Sequence, residues 1–348
     1  MRVGVIGTGH IARQHLSCLR ELAGVEIAAV CDLSRGLAEA AAERFGVPRW
    51  FTDSRTMLDE IRPDVVHVTT PPTSHYRLAS DAIQAGSHVL VEKPITVSFD
   101  EVESLLDQAR DKNRALIEDY NYVFNKPVQR LLNMIESGEF GHVVHVEVLF
   151  CLDILAKGNP FCDPNAPHPC LTMPGGAIAD FLPHLASLAH AFVGPHRGVR
   201  STWRKRSDSP LPSDEFQAMV NAERGTAALG FSAHAQPDVF WLRVYGTKMR
   251  AAANLFETRL TIERTRGGPK PLVPLFNSLD EARAVRRSAF GSLVRKLSGG
   301  PGAYEGLWAL LTKTYEALNK GGQPPVSSQQ IQEVNRLIDD LKKPEYQF

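Results

Sequence analysis

The first twelve residues contain the most restrictive feature of the chain, a short apolar run that leads directly into a glycine turn. Val3, Val5 and Ile6 predict a buried parallel strand, and the next six residues, GTGHIA, fit the pattern G-x-G-x-x-G/A. The first glycine of this pattern permits a tight turn, and the second lets a pyrophosphate approach the backbone. The N-terminus of the following helix would offer its N–H groups to the phosphates. The stretch therefore predicts a dinucleotide-binding turn formed by Gly7, Thr8, Gly9, His10 and Ile11.

An acidic residue after the second predicted strand bears on the choice of cofactor. The strand over residues 25–31 is followed by Asp32, at the spacing from the glycines where a carboxylate binds the ribose hydroxyls of a dinucleotide. A carboxylate there would repel the 2′-phosphate of NADP, so NAD is favoured over NADP. Arg35 keeps the alternative open, because a guanidinium can turn toward a phosphate.

Strands and helices then alternate as far as residue 121, which predicts a parallel sheet with right-handed crossovers. Further strands are predicted over residues 64–70, 88–92 and 115–119, with helices over 76–85 and 98–113. In such sheets the ligand binds beyond the carboxyl ends of the strands. The residues at those ends are therefore assigned to the cofactor site, namely Thr70, Pro71, His75, Glu92, Lys93 and Asn121. Residues 1–121 are thus predicted to form a Rossmann domain.

Length, charge and hydropathy limit the remaining possibilities. A chain of 348 residues exceeds the size of most single domains, so a second domain is expected over residues 122–348. The 39 basic and 39 acidic residues cancel, which argues against nucleic acid as a partner and favours a small molecule. The first strand begins too close to Met1 for a signal peptide, and no run of about 18 apolar residues follows. We therefore expect a cytoplasmic protein with no membrane partner.

The second half of the chain predicts a sheet of another kind. Segments with alternating apolar and polar residues, from HVVHVEVLF to RLTIERT, follow one another with short turns and favour a mostly antiparallel open sheet. Because proline is tolerated in the first turn of a helix, Pro183 predicts that the helix ending at Val193 begins near Asp180. Asp180 and His184 would then share one helical face. The predicted fold class is α/β, a Rossmann sheet followed by an α+β domain, with two final helices that are candidates for packing on the first domain.

These motifs together resemble the Gfo/Idh/MocA family of dinucleotide-dependent oxidoreductases. The resemblance rests on the glycine pattern, on TPP followed by His75, on EKP, and on the runs YNYVFNKPVQRLLNMIESGEFGHVVHVEV and GGAIADFLPH. It implies an N-terminal Rossmann domain, a second domain whose open sheet commonly forms a homodimer or homotetramer, and substrates that are sugars, polyols or their derivatives. It also implies that Lys93, Asp180 and His184 line the reaction site. Val123 departs from the family pattern, in which an arginine often follows the asparagine.

The resemblance and the chemistry of these side chains predict an NAD-dependent oxidoreductase that acts on a sugar, a polyol or a nucleotide-linked sugar. Oxidation of a carbinol needs a proton acceptor and a cation beside the oxygen. His184 suits the first role, Asp180 can orient its ring, and Lys93 suits the second. Two alternatives stay open: a non-catalytic dinucleotide-binding sensor or scaffold, and an enzyme with tightly bound NAD that catalyses epimerisation or glycoside cleavage without net redox change.

Two stretches have both an ordinary and a functional interpretation. The basic segment over residues 270–296 is typical of a solvated helical face, and a phosphate-bearing substrate is the functional alternative. Cys162, His168 and Cys170 share a proline-rich loop, but a zinc site needs a fourth ligand, so an ordered loop without a metal is expected. The five cysteines lack CxxC spacing and are expected to be reduced thiols.

Overall fold

The structure is a computed structural model that describes residues 1–156, 161, 168, 171, 173–206, 208, 211–266, 272–297, 304–343 and 346–347. The chain divides into two compact units. The first contains Met1–Tyr120 and Leu307–Asn335, and the second contains Asn121–Gly306 and Arg336–Phe348.

Six parallel strands form the sheet of the first unit. They are β1 (Arg2–Ile6), β2 (Glu26–Cys31), β3 (Trp50–Phe51), β4 (Val65–Val68), β5 (His88–Val91) and β6 (Leu116–Glu118). Their spatial order is β3-β2-β1-β4-β5-β6, and every neighbouring pair is parallel. This is the strand order of the doubly wound dinucleotide-binding fold, which confirms the predicted Rossmann sheet. The two-residue strand β3 was not predicted, because it is too short to carry a periodic pattern.

Helices connect these strands and complete the core of the first unit. They are α1 (His10–Glu21), α2 (Arg35–Phe45), α3 (Ser54–Ile61), α4 (His75–Gln84) and α5 (Phe99–Asp111). Ser34, Asp53 and Ser98 each cap a helix by accepting a backbone N–H bond, as their short polar side chains predict. Most of α9 (Glu305–Asn319) and the first half of α10 (Ser328–Leu341) belong to this unit, and Tyr315 of α9 enters the apolar core beneath β1.

Eight strands form the sheet of the second unit. They are β7 (Val143–Cys151), β8 (His196–Arg204), β9 (Glu215–Ala222), β10 (Thr226–Ser232), β11 (Val239–Gly246), β12 (Met249–Asn254), β13 (Arg259–Arg264) and β14 (Tyr346–Gln347). The order is β13-β12-β11-β7-β10-β9-β8-β14. Neighbours are antiparallel except for β7 with β10 and β8 with β14, so the predicted mostly antiparallel sheet is confirmed.

The second unit also contains α6 (Lys126–Glu136), α7 (Gly176–Val193) and α8 (Leu272–Leu297), of which α7 packs against β7, β9 and β10. The predicted start of α7 near Asp180 is wrong, since the helix begins one turn earlier and Pro183 lies inside it. Gly175, with φ of +79°, makes the turn that lets the helix begin there. By length and hydropathy α7 could cross a membrane, but 94% of it is buried, as expected of a core helix.

The sheet of the second unit has one face covered by α7 and one face that is partly exposed. On β9 buried residues alternate with exposed ones, which is the pattern of a strand with two different faces. Apolar side chains nevertheless occur on the exposed side, namely Leu149 and Met219 at 40% and 55% exposure. Leu149 and Met219 line a shallow depression of about 500 Å³ on this face.

Candidate functional site

The glycine turn between β1 and α1 has the conformation that its sequence predicts. Gly7 has φ of +92°, and a Cβ on it would lie 2.8 Å from the backbone carbonyl of Thr69. The protein itself therefore requires glycine at this position. A Cβ on Gly9, by contrast, would meet no protein atom within 4 Å. Gly9 is the N-cap of α1 and no side chain caps this helix, so its N-terminus faces space that a pyrophosphate can fill.

The carboxylate of Asp32 ties the glycine turn to the start of α2. Its Oδ2 accepts hydrogen bonds from the backbone N–H and the hydroxyl of Thr8, at 2.8 and 2.9 Å, and Oδ1 accepts from Ser34 N–H at 2.9 Å. A carboxylate has about four acceptor positions, so capacity is left for ribose hydroxyls. Arg35 pairs with Glu39 at 3.1 Å and lies over the ring of Trp50, so its guanidinium is engaged by a neighbour on α2 and by a ring of β3.

His75 lies beneath the loop that follows β4 and links it to the loop that follows β5. Its ring is fully buried, with Nε2 2.7 Å from the carbonyl oxygen of Thr70 and Nδ1 2.9 Å from that of Pro94. Burial lowers the pKa of His75, although the two carbonyls and Glu92 oppose this effect. The ring has no surface with which to touch a cofactor. Both ring nitrogens of His75 are thus engaged by the protein, whereas Thr70 is half-buried and Pro71 is exposed. The assignment of these three residues to the cofactor site remains a prediction.

Two buried carboxylates hold the loop that begins at Lys93. Oε2 of Glu92 accepts the N–H of Lys93 at 3.2 Å, and Oε1 of Glu118 accepts the N–H of Ile95 at 3.2 Å. Glu118 also accepts a bond from the hydroxyl of Tyr120 at 2.6 Å. The half-buried Lys93 is thus presented from a backbone that is fixed on both sides. Glu92 is itself buried and contacts the protein, and its place in the cofactor site remains a prediction.

A buried polar chain beside Glu92 was not predicted from the sequence. His15 Nε2 lies 2.9 Å from Glu92 Oε1, His15 Nδ1 lies 2.8 Å from His67 Nδ1, and His67 Nε2 lies 2.8 Å from the hydroxyl of Tyr315. The sequence does carry a signal for it. His67 interrupts the apolar strand VVHV, and His15 falls on the apolar face of α1 between Ala12 and Leu19.

One group among the described residues has the spacing of a metal site. His15, Glu92 and Asp119 place possible ligand atoms within 4.8 Å of one another. Hydrogen bonds account for the cluster, since Glu92 is bonded to His15 Nε2, accepts the backbone N–H of Lys93 and shares a hydrogen bond with the Asp119 carboxyl group. The other metal candidate cannot be placed, because Cys162 and Cys170 lie outside the described residues.

Asp180 and His184 lie one turn apart in the interior of α7, and each is 7% exposed. The ring of Tyr122 meets His184 edge-on, with centroids 4.8 Å apart and an interplanar angle of 83°. The rings of Phe150 and Phe181 also lie near the imidazole, each with its centroid 6.4 Å away. Aromatic side chains therefore fix the orientation of His184. Tyr122 is a site residue that the sequence analysis did not single out, although it belongs to the YNY run.

Asn121 opens the 3₁₀ turn Asn121–Phe124 in the second unit, and its Oδ1 accepts the N–H of Tyr122 at 2.9 Å. A Cβ on Gly306 would lie 2.1 Å from the carbonyl oxygen of Asn121, so the chain at Gly306 packs directly on this turn. Asn121 therefore helps to position Tyr122. His10 and Ile11 occupy the first turn of α1, exposed and half-buried respectively, as a phosphate-binding turn requires.

A second depression in the same unit, of about 500 Å³, is lined by arginines of α6, β13 and α8. Arg264 pairs with Glu139 at 3.0 Å, and Arg283 pairs with Asp280 at 3.3 Å. The remaining two, Arg130 and Arg287, have no carboxylate partner among the residues that the structure describes. The depression therefore has a net positive charge.

Comparison with known proteins shows to which family this architecture belongs. Residues 1–120 match the oxidoreductase family with an NAD-binding Rossmann fold, and residues 128–252 match the GFO/IDH/MocA C-terminal domain. The chain belongs to the Gfo/Idh/MocA family. The resemblance seen in its motifs and its predicted fold class are thereby confirmed.

Three similar proteins illustrate the range of the family. The D-glucoside 3-dehydrogenase of Escherichia coli is 33% identical over 144 residues, which are 41% of this chain and 41% of that protein. A glycosyl hydrolase family 109 protein of Akkermansia muciniphila is 32% identical over 161 residues, 43% of this chain and 34% of that protein. The matched stretches thus span less than half of both relatives. The fold is shared with levoglucosan dehydrogenase, solved with NADH and levoglucosan, at a TM-score of 0.79, 19% identity, and coverage of 99% of this chain and 96% of that one.

NAD is the cofactor of the family's N-terminal domain, and the residues of the first unit fit it. Space beside Gly9 and the uncapped N-terminus of α1 would hold the pyrophosphate. Asp32, with acceptor capacity left over, would hold the ribose.

Proposed function

We propose that the protein is an NAD-dependent oxidoreductase that interconverts a carbinol and a carbonyl group of a sugar or polyol. The observation that carries this proposal is an imidazole, His184, held by aromatic rings and one helical turn from a carboxylate, in a chain whose first unit has the NAD-type glycine turn. Similarity to the E. coli D-glucoside 3-dehydrogenase supports the substrate class.

Each polar side chain has a distinct task in this proposal. His184 takes the hydroxyl proton during oxidation and returns it during reduction, since imidazole titrates near neutral pH. Asp180 orients that ring from one turn away. Lys93 stabilises the substrate oxygen while it carries alkoxide character. Bound NAD would supply the hydride acceptor for the carbinol carbon.

A substrate panel tests the proposal directly. The purified protein is mixed with NAD or NADP and with sugars, inositols and nucleotide sugars, and the absorbance of reduced nicotinamide is followed. At least one sugar or polyol should give turnover that His184→Ala abolishes. NADH binding without turnover on any member would favour the sensor or scaffold alternative instead.

Similarity to a glycosyl hydrolase family 109 protein supports a second candidate, an enzyme that retains NAD and has no net redox change. In that case the purified protein would carry NAD through gel filtration and would convert its substrate without added acceptor. Dependence of the rate on added NAD, with accumulation of one NADH per product, excludes this candidate.

The arginine-lined depression favours a sugar that bears phosphate. Arg130 and Arg287 are available to an anion, and guanidinium groups bind phosphate oxygens in a bidentate manner. Arg287→Gln should raise KM about tenfold for a phosphorylated or nucleotide-linked sugar and leave KM unchanged for the corresponding free sugar. Arg286→Gln, at the next exposed position of α8, is the matched control. If Arg287→Gln and Arg286→Gln had the same KM for the phosphorylated or nucleotide-linked sugar, Arg287 would not bind a phosphate group and the proposal of a phosphate-bearing sugar would be wrong.

A further inference from the structure

The segment that follows β5 is buried except at its first residue, Lys93, which is half-buried. Two residues further on, the backbone N–H of Ile95 donates to Oε1 of Glu118, at the end of β6, at 3.2 Å. Glu118 is fully buried, so water does not compete for this bond. The place of the backbone at Lys93 therefore depends on how the carboxylate of Glu118 is held.

Two further donors hold the other oxygen of this carboxylate. Oε2 of Glu118 accepts hydrogen bonds from the hydroxyl of Tyr120 and from Nδ2 of Asn335, each at 2.6 Å. Both donors are buried as well, at 1% and 6% exposure. Tyr120 closely follows β6, whereas Asn335 belongs to α10 and is 217 residues away from Glu118 in the chain. We call Glu118, Tyr120 and Asn335 the carboxylate anchor.

The side-chain amide of Asn335 is fixed as a donor by its own helix. Its nitrogen faces two acceptors, the carboxylate of Glu118 and, at 3.0 Å, the carbonyl oxygen of Ile331 one turn earlier in α10. An amide nitrogen has two protons, so each acceptor receives one. The reverse orientation would turn the amide oxygen toward two other oxygens that also accept. Asn335 therefore directs one N–H at Glu118.

Glu118 has the surroundings of an ionised carboxylate, because three donors converge on a group that only accepts in that form. Burial and the negative charge of Glu118 raise the pKa of Tyr120 well above its usual value, so the phenol keeps the proton that it donates. A glutamine at position 118 would place an NH₂ group against one of these donors. The anchor thus depends on a buried carboxylate held by Tyr120 and Asn335.

Asn335 interrupts an apolar face of α10. Ile331 and Val334 beside it are fully buried, and the helical period predicts an apolar residue at position 335 as well. Burying an amide costs free energy unless its hydrogen bonds are made, so an apolar side chain would be the simpler way to fill this place. The bond to Glu118 is what the amide adds.

We propose that Asn335 is a positioning residue of the reaction site: from α10 it aims the carboxylate of Glu118 at the N–H of Ile95, and so fixes the backbone from which Lys93 projects. The inference rests on the proposed role of Lys93 at the substrate oxygen. Misplacement of a reacting group by about 1 Å can lower a rate about 10²-fold. The helix α10 thus contributes to the rate through Lys93.

Hydrogen–deuterium exchange of the full-length protein tests the anchor without substrate or NAD. Mass spectrometry with electron-transfer fragmentation resolves the amide of Ile95. Asn335→Leu removes one donor at similar volume and should speed this exchange at least about tenfold, and Tyr120→Phe should do so by less. Gln332→Leu is the matched control, because it removes another amide donor of α10, which bonds Glu103 at 3.3 Å, and should leave the exchange of Ile95 unchanged.

A double-mutant cycle, with the sugar that the substrate panel identifies, tests whether the anchor acts through Lys93. Asn335→Leu should lower kcat about 10- to 100-fold and leave the Kd for NADH within about twofold of the wild-type value. Added to Lys93→Met, it should lower kcat by no more than about twofold, because the group that it positions is gone. Tyr120→Phe goes through the same cycle with a smaller expected loss, and Gln332→Leu should keep the wild-type kcat.

Unchanged exchange of the Ile95 amide in both Asn335→Leu and Tyr120→Phe overturns the proposal. Faster exchange with a wild-type kcat also overturns it, because the anchor would then be structural only. An equal loss of kcat with and without Lys93 overturns the link to that lysine. If Asn335→Leu does not fold, Tyr120→Phe decides each of these points. The expected exchange in a protein that oxidises no sugar would refute the proposed function, and with it a role of Asn335 in the rate, while the anchor of the segment would stand.

Discussion

The surroundings of His184 suit its predicted role, because Tyr122, Phe150 and Phe181 hold its ring in one orientation within the helix α7. If this imidazole is the proton acceptor, His184→Ala should lower kcat by about 10² to 10⁴-fold, the usual contribution of a general base. The Kd for NADH should stay within about twofold, as measured by protein fluorescence.

His145→Ala is a suitable control for this change. His145 is a half-buried histidine of the same unit, bonded to Thr226 at 2.7 Å, and its loss should leave kcat nearly unchanged. Single-turnover rates for His184→Ala that equal the wild-type rates at neutral pH would move the proton-transfer role to Lys93.

Asp32 is the residue on which cofactor preference depends. The wild-type protein should bind NADH more tightly than NADPH, and Asp32→Ala should narrow the ratio of their Kd values at least tenfold, about 1.4 kcal/mol, by removing repulsion of the 2′-phosphate. Calorimetric titration of both nucleotides measures this ratio. Tighter binding of NADPH by the wild-type protein would contradict the assignment.

A control is needed because Asp32 also binds Thr8 and Ser34. Asp53→Ala removes another strand-end carboxylate, which caps α3 through Thr56 at 2.8 Å. Each change should lower the free energy of unfolding by about 0.5–2 kcal/mol, but only Asp32→Ala should change the nucleotide ratio.

At the scale of the element, the β1–α1 turn contains two glycines that are needed for different reasons. Gly7→Ala should destabilise the fold by about 1–3 kcal/mol, because the backbone has a positive φ and the new Cβ would collide with Thr69. Gly9→Ala should change the free energy of unfolding by less than about 1 kcal/mol and raise the Kd for NADH at least tenfold, since its Cβ projects toward the pyrophosphate site.

Urea denaturation gives the free energy of unfolding of each variant, and NADH titration gives its Kd for NADH. The expected result is a crossed pattern, in which Gly7→Ala loses stability and Gly9→Ala loses affinity without stability. Unchanged NADH affinity in Gly9→Ala would show that the space beside Gly9 is not where the pyrophosphate binds.

Several elements show how much of the structure could be predicted from the sequence. The glycine turn and the parallel direction of the Rossmann strands follow from local patterns, namely apolar runs, glycines and the alternation of strands with helices. The start of α7 did not follow, because tolerance of Pro183 inside a helix depends on tertiary packing rather than on local propensity. The parallel pairing of β7 with β10 was likewise missed, since alternation reports two unlike faces and not the identity of the neighbouring strand.

For the site, the sequence located the strand ends but not the buried partners of their side chains. His15, His67 and Tyr315 come from α1, β4 and α9, which are far apart in the chain and adjacent only in the fold. A histidine within an apolar pattern signals a buried polar group, but its partner cannot be read from one sequence. For the same reason the contact of Tyr122 with His184 exists only in the fold, which brings the 3₁₀ turn Asn121–Phe124 next to α7.

At the scale of the whole molecule, the open face of the second unit's sheet is the surface that requires explanation. Leu149, Met219 and Trp241 line a depression on it, together with polar and charged side chains that include Arg243. An apolar face of this kind on a large open sheet is typical of an interaction surface. We propose that this face forms the interface of a homodimer, or one of the interfaces of a homotetramer.

Met219→Glu tests this interface, because it places a charge on the exposed face of β9 without entering the core. In a two-fold symmetric contact the same substitution occurs on both sides, so two carboxylates would be desolvated together and the assembly should dissociate to a monomer. Leu33→Glu is the control, since Leu33 is 92% exposed and lies in the first unit, where a new charge should not affect assembly. Sedimentation velocity at micromolar concentration should give a dimer or tetramer for the wild type and for Leu33→Glu, and a monomer for Met219→Glu. A monomeric wild type would refute the interface, and an assembled Met219→Glu variant would place it on another surface.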